Sequence, residues 1–223
     1  MNGKLFMQAI IKFTSGLILT IALLFIPAGT IYYVKGWIFI AILFIPMFIA
    51  GIILMMKNPA LLEKRLNAKE KQSDQKFFVL VMSMMFVSGF VCAGLNCRFS
   101  WVVLPMWLSI VSSVIFILAY IMYGEVLREN EYLSRTVEVQ TNQKVIDTGL
   151  YSVIRHPMYS ATLLLFLSMP FVLGSPITFF ILLIYPIAII SRLQSEEEYL
   201  EKNLDGYKEY KQKVKYRLIP FIY

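Results

Sequence analysis

Hydrophobic positions in this chain come in long unbroken blocks, not in the spaced stripes of a helix that faces water on one side. Between positions 13 and 56 the only charge is Lys35, and further blocks run 77–97, 101–123 and 159–190. One helix needs about 20 such residues to cross a bilayer, so the first block holds two. The pattern predicts hydrophobic segments at 12–31, 37–56, 77–97, 101–123, 159–173 and 176–191. The fold class is therefore all-α: a polytopic membrane protein of about six hydrophobic segments, four spans plus a C-terminal helical hairpin. Leu173-Gly174-Ser175-Pro176 breaks the hairpin in its middle. Each arm is then about 15 residues, short enough that it must tilt or stay covered by other spans.

Composition agrees. Hydrophobic residues make up 58% and charged residues 16%, against roughly 45–50% and about 25% in soluble chains. Disorder, collagen, coiled coil and an ordinary cytosolic globule are excluded. A net charge of +7 would suit nucleic acid, but the basic residues are distributed by topology. With both termini cytoplasmic, every lysine and arginine except Lys35 and Arg98 falls on the cytoplasmic side. The polar segments could not make a separate DNA-binding domain, so no nucleic-acid partner is expected. Cys92 and Cys97 close one span, either as an outer-face disulfide or as inert thiols. No histidine or second cysteine pair stands near them, so no metal site is expected. The first apolar block lacks a cleavage signal and reads as a retained span.

The chain divides into a four-span region, 1–123, and a back half, 124–223. Within the front half, Asn58-Pro59 followed by leucines at 61, 62 and 66 reads either as a short amphipathic helix on the membrane surface or as a solvated loop. In the back half, Thr148-Gly149 marks a turn. Arg155-His156-Pro157 then opens a helix, with proline at the first position, where its missing N–H costs nothing. His156 is the only histidine. By itself this tripeptide could equally serve as a lipid-headgroup anchor. Arg192 follows an apolar run and shares a helix face with Glu196, four residues on. A plain surface ion pair is the alternative there. The tail carries Leu204, Tyr207, Tyr210 and Val214 at helical spacing among lysines, a basic amphipathic helix interrupted at Gly206 and suited to the membrane surface.

Together these elements resemble the isoprenylcysteine carboxyl methyltransferase family and the wider phospholipid methyltransferase-like group. The resemblance rests on Gly149-Leu150-Tyr151, on Arg155-His156-Pro157-Met158-Tyr159, on the apolar hairpin, on Arg192 with Glu196-Glu197 and Leu200, on Gly206-Tyr207 with Tyr210, and on Arg217-Leu218-Ile219-Pro220. It covers about 90 residues, and the order and spacing of its parts carry it. The segment from Asn58-Pro59 to Arg65 also resembles a loop of bacterial relatives.

The resemblance implies S-adenosylmethionine as cofactor, held on the cytoplasmic side by the back half. It places His156, Pro157 and Tyr159 against the cofactor, with Met158 at the variable place of the motif, and adds Tyr151 and Glu196. By position more than identity, Gln143, Lys144, Val145 and Ile146 would wrap it, and Glu138 would supply an upstream polar contact. Arg192 would face the methyl acceptor, a lipid-modified or lipidic carboxylate arriving from the bilayer. A sulfonium methyl is already electrophilic and a carboxylate already ionised, so orientation, desolvation and a cation suffice. Two other readings stay open. One is the same fold methylating a phospholipid amine, which needs a proton acceptor. The other is a membrane protein without catalysis, or a reductase-like one using a nicotinamide cofactor.

Overall fold

The computed structural model describes residues 3–66, 73–133 and 139–223. Glu138 lies outside the described residues, as do Lys69, Lys71 and Arg135 of the cytoplasmic charge pattern.

Four long helices form from the front blocks: α1 (Gly3–Ala28), α2 (Val34–Lys57), α4 (Ser73–Phe99) and α5 (Met106–Glu129). α1 begins nine residues before the hydrophobic segment predicted from 12, because Lys4 and Lys12 extend the helix without breaking it. The short α3 (Pro59–Leu66) lies between α2 and α4. The back half adds a 3-10 turn, Gly149–Ser152, then α6 (Pro157–Val172), α7 (Pro176–Leu182), α8 (Ile184–Asn203) and α9 (Tyr207–Lys213). No strand occurs among the described residues; one isolated parallel bridge joins Ile154 to Tyr216.

Among the described residues, five helices are long and apolar enough to cross a membrane: α1, α2, α4 from Phe77, α5, and the run Pro176–Asn203. The chain is an integral, multi-pass all-α membrane protein. α6, with 16 residues, is the shorter apolar helix. It packs along α5, while α1 packs along α4 and α4 along α7. Ile18, Ile26, Phe180 and Ile187 are each more than 60% exposed, the outward apolar surface that lipid covers. Inside, Phe39 sits 5.7 Å from the Phe90 ring and 5.8 Å from that of Phe116, centroid to centroid.

Coverage by other spans answers how so short a hairpin survives. The turn at Leu173–Ser175 is buried, so its backbone must be satisfied by protein. Tyr33 donates its hydroxyl to the Leu173 carbonyl at 2.6 Å. Asn96 Nδ2 donates to the Gly174 carbonyl at 3.2 Å. The second arm is not one helix to 191, as the sequence pattern predicts. It breaks at Leu183 and continues to Asn203. Pro186 explains the break, since it has no N–H for the carbonyl four residues back.

Candidate active site

The site is built at the end of the bundle where α5 stops and α6 starts. Gly149 takes φ +50°, a left-handed conformation that suits glycine, and the Glu129 carboxylate fills the space a side chain would need. Glu129 Oε2 accepts from the Leu150 N–H at 3.1 Å, which ties the 3-10 turn to the end of α5. Tyr151 is thereby turned inward. Its hydroxyl accepts from Asn130 Nδ2 at 2.9 Å, its carbonyl accepts from the Tyr210 hydroxyl at 2.7 Å, and burial pushes its phenol up to about 12.

His156 is the N-cap of α6 and Pro157 its first residue. The backbone N–H groups of Arg155 and His156 donate to the carbonyls of Tyr216 and Arg217, both at 2.9 Å. Ser160 Oγ donates to the Leu218 carbonyl at 2.6 Å. The C-terminal tail is thus laced to the start of α6. α9 completes the same wall, with Leu204, Tyr207, Tyr210 and Val214 packed against Val139, Val145 and Leu200. The apolar face expected at the membrane surface is spent inside the protein.

These elements enclose a cavity of about 260 Å³, near the lower edge of the roughly 300–1,000 Å³ usual for small-molecule sites. Gln143, Lys144, Val145 and Ile146 line one side. Tyr151, His156, Met158 and Tyr159 line another, and Arg192 and Glu196 face in from α8. Of the described residues that the resemblance places against the cofactor or the acceptor, Pro157 alone is not in the wall; it is buried as the start of α6.

Tyr159 joins the two α8 residues. Its hydroxyl donates to Glu196 Oε2 at 2.5 Å and accepts from Arg192 Nε at 3.2 Å. The Arg192 guanidinium lies over the Phe78 ring of α4, 4.8 Å from its centroid. A cation, a phenol and a carboxylate therefore stand in line at the cavity wall, at the level where α8 leaves its apolar stretch.

Sequence reasoning gave no role to Glu197. Its side chain is 2% exposed. Oε1 accepts from Arg155 Nε at 2.6 Å and lies 3.2 Å from His156 Nε2. Oε2 accepts from Arg217 Nε at 3.1 Å, with Lys211 Nζ 3.7 Å away. Facing a carboxylate, Nε2 is the histidine nitrogen that carries the proton in this arrangement. The Arg155 guanidinium also donates to the Val214 and Lys215 carbonyls. His156 thus reaches the cavity by its ring face, stacked on Tyr159 with centroids 5.8 Å apart, while its nitrogen is turned to Glu197. The available signal was the stripe Ile189, Leu193, Glu197: a carboxylate four residues along from a buried leucine.

Arg65 was also missed. The helix expected there forms, and its apolar face packs on protein: Leu61 and Leu62 are buried, and Leu61 packs in the cluster of Val126, Leu133 and Tyr151. Lys64 Nζ donates to Gln140 Oε1 at 2.5 Å, and Lys12 donates to the Leu66 carbonyl. Arg65 then enters the cavity wall over the Tyr123 ring, 5.5 Å from its centroid.

Residues 101–206 match the phospholipid methyltransferase family. A Delta(14)-sterol reductase of Mus musculus is 29% identical over 91 residues, 40% of this chain and 22% of the reductase. The chain spans about a fifth of the length of that curated relative. The stretch matched to the family takes in α5, the 3-10 turn, α6 and the whole of α7 and α8, where most of the cavity wall lies. Together, the apolar helices, the cavity and this match support a membrane methyltransferase.

Proposed function

We propose that this chain is an S-adenosylmethionine-dependent carboxyl methyltransferase of the isoprenylcysteine type, acting on a lipidic carboxylate. The Arg192–Tyr159–Glu196 line of hydrogen bonds is the observation that carries the reading. It sets an anion-holding group beside an anionic one at a single point of the cavity.

The residues fit the cofactor. Leu133, Val145, Ile146 and Leu204 offer apolar faces for a planar base, and Glu196 offers a carboxylate to the cationic end. The Tyr207 hydroxyl, buried in this wall without a partner among the described residues, still needs one. Bound S-adenosylmethionine supplies a methyl group on a sulfonium, electrophilic without help from a metal. Arg192 holds the acceptor carboxylate, its planar fork matching two oxygens. Tyr159 fixes both Arg192 and Glu196, so acceptor and cofactor are registered through one hydroxyl. His156, held by Glu197, backs the Tyr159 ring. Gln143, Lys144, Val145, Ile146, Tyr151, Met158 and the helix start at Pro157 shape the remainder and keep water out. Fixing two reactants in this way can supply about 7–11 kcal/mol. Phe78, Tyr123 and Tyr185, from helices that cross the membrane, wall the other side, so the acceptor's lipid tail passes between spans. In this reading 1–123 is the membrane scaffold, 124–223 the methyltransferase region, and both termini are cytoplasmic.

A phospholipid amine is the second reading, favoured by the family match and by Glu196, a ready proton acceptor for an ammonium group. Membranes carrying the chain, given radiolabelled S-adenosylmethionine, should label farnesylcysteine when it is offered beside phosphatidylethanolamine. Label in phosphatidylethanolamine alone would select the amine reading. Retention of NADPH with no S-adenosylmethionine binding would reject both in favour of a reductase.

A further inference from the structure

Tyr207 holds a polar atom that the described protein leaves unused. The residue is 4% exposed, and its hydroxyl has no hydrogen-bond partner among the described residues. On the same helix, 5.8 Å away centroid to centroid, Tyr210 has its hydroxyl paired with the Tyr151 carbonyl. An unpaired buried hydroxyl costs about 1–3 kcal/mol, and buried polar groups are otherwise satisfied almost without exception.

The chain goes out of its way to put the group there. Gly206, at φ +82°, caps α9 and turns Tyr207 inward. Leu204 and Val145 pack in the same cluster. Phenylalanine would fill the same slot, so packing does not explain the oxygen. Burial, with the Glu197 and Glu196 carboxylates nearby, pushes the phenol well above its ordinary value. It is a neutral donor at every physiological pH.

We propose that the Tyr207 hydroxyl is a cofactor contact, donating a hydrogen bond to an acceptor atom of the nucleoside cofactor bound in this cavity. The inference rests on the methyltransferase reading and adds a residue outside the family-matched stretch, which ends at 206. Ring nitrogens, ribose hydroxyls and a carboxylate all offer the acceptor that an O–H donor needs.

The test uses the full chain in lipid nanodiscs, with S-adenosylhomocysteine as the probe. Tyr207→Phe should bind it about tenfold more weakly, the loss of one well-placed hydrogen bond. Its ligand-free melting temperature should stay level or rise, because an orphaned hydroxyl has been removed. Equal affinity in parent and variant overturns the inference. So does a fall in ligand-free melting temperature, which would give the hydroxyl a partner within the protein. No binding by the parent itself would instead remove the methyltransferase reading, and the inference with it.

Discussion

Tyr159 is where two opposite charges meet, and each can be removed while its ring stays. Arg192→Lys keeps the charge and discards the planar fork. If Arg192 orients the acceptor, methyl transfer should fall by about 2–5 kcal/mol in transition-state stabilisation, with little change in cofactor affinity. Glu196→Gln should show the reverse, weaker S-adenosylmethionine binding and a smaller loss in rate at saturation. Titration calorimetry and methyl-transfer rates on the two variants separate these effects. Near-parental values in both would reduce the pair to the solvated surface bridge that its i, i+4 spacing also allows.

Between elements, Glu197 is the junction. It sits on α8, accepts from the residue before the α6 cap, and accepts again from the C-terminal tail. Removing it leaves Arg155, 6% exposed, without its carboxylate. Breaking one side of a buried pair costs about 3–5 kcal/mol. Glu197→Ala should therefore lower the melting temperature well before any effect on the acceptor is considered. Glu197→Gln, which keeps the acceptor oxygen, should lie between, as followed by thermal unfolding in nanodiscs. The same junction shows where sequence reasoning stops. Glu196 and Glu197 are identical neighbours, and only the helix phase set by Ile189 and Leu193 decides which one is buried. α3 and α9 were legible as amphipathic helices. What their apolar faces meet was not, because a leucine seated on Tyr151 and a leucine seated in lipid leave the same trace in sequence.

For the whole molecule, the four front spans and the turn at Gly174 were readable because hydrocarbon tolerates few charges and no unpaired backbone. The break at Leu183 was masked by the continuity of the apolar run. The orientation proposed here, with both termini cytoplasmic, rests on the basic residues outside the spans. Lys208→Cys, on the exposed side of α9, should resist an impermeant thiol reagent in intact cells and react after permeabilisation, with the native thiols Cys92 and Cys97 replaced by serine. Labelling from outside would reverse the orientation and move the cavity to the opposite face.

The bonds from Arg155, His156 and Ser160 to the carbonyls of Tyr216, Arg217 and Leu218 also set an order of events in biosynthesis. Synthesis runs from the N-terminus, at about 5–20 residues per second, so the spans and α3 leave the ribosome first. The strap that closes the start of α6 is translated after all the helices described above. A nascent chain arrested before Tyr216 would hold the described cavity wall, and Glu197 to pair with the Arg155 and His156 side chains, yet lack the carbonyls that take their backbone N–H groups. The backbone at the start of α6 therefore gains its partners only after the rest of the described wall has been made.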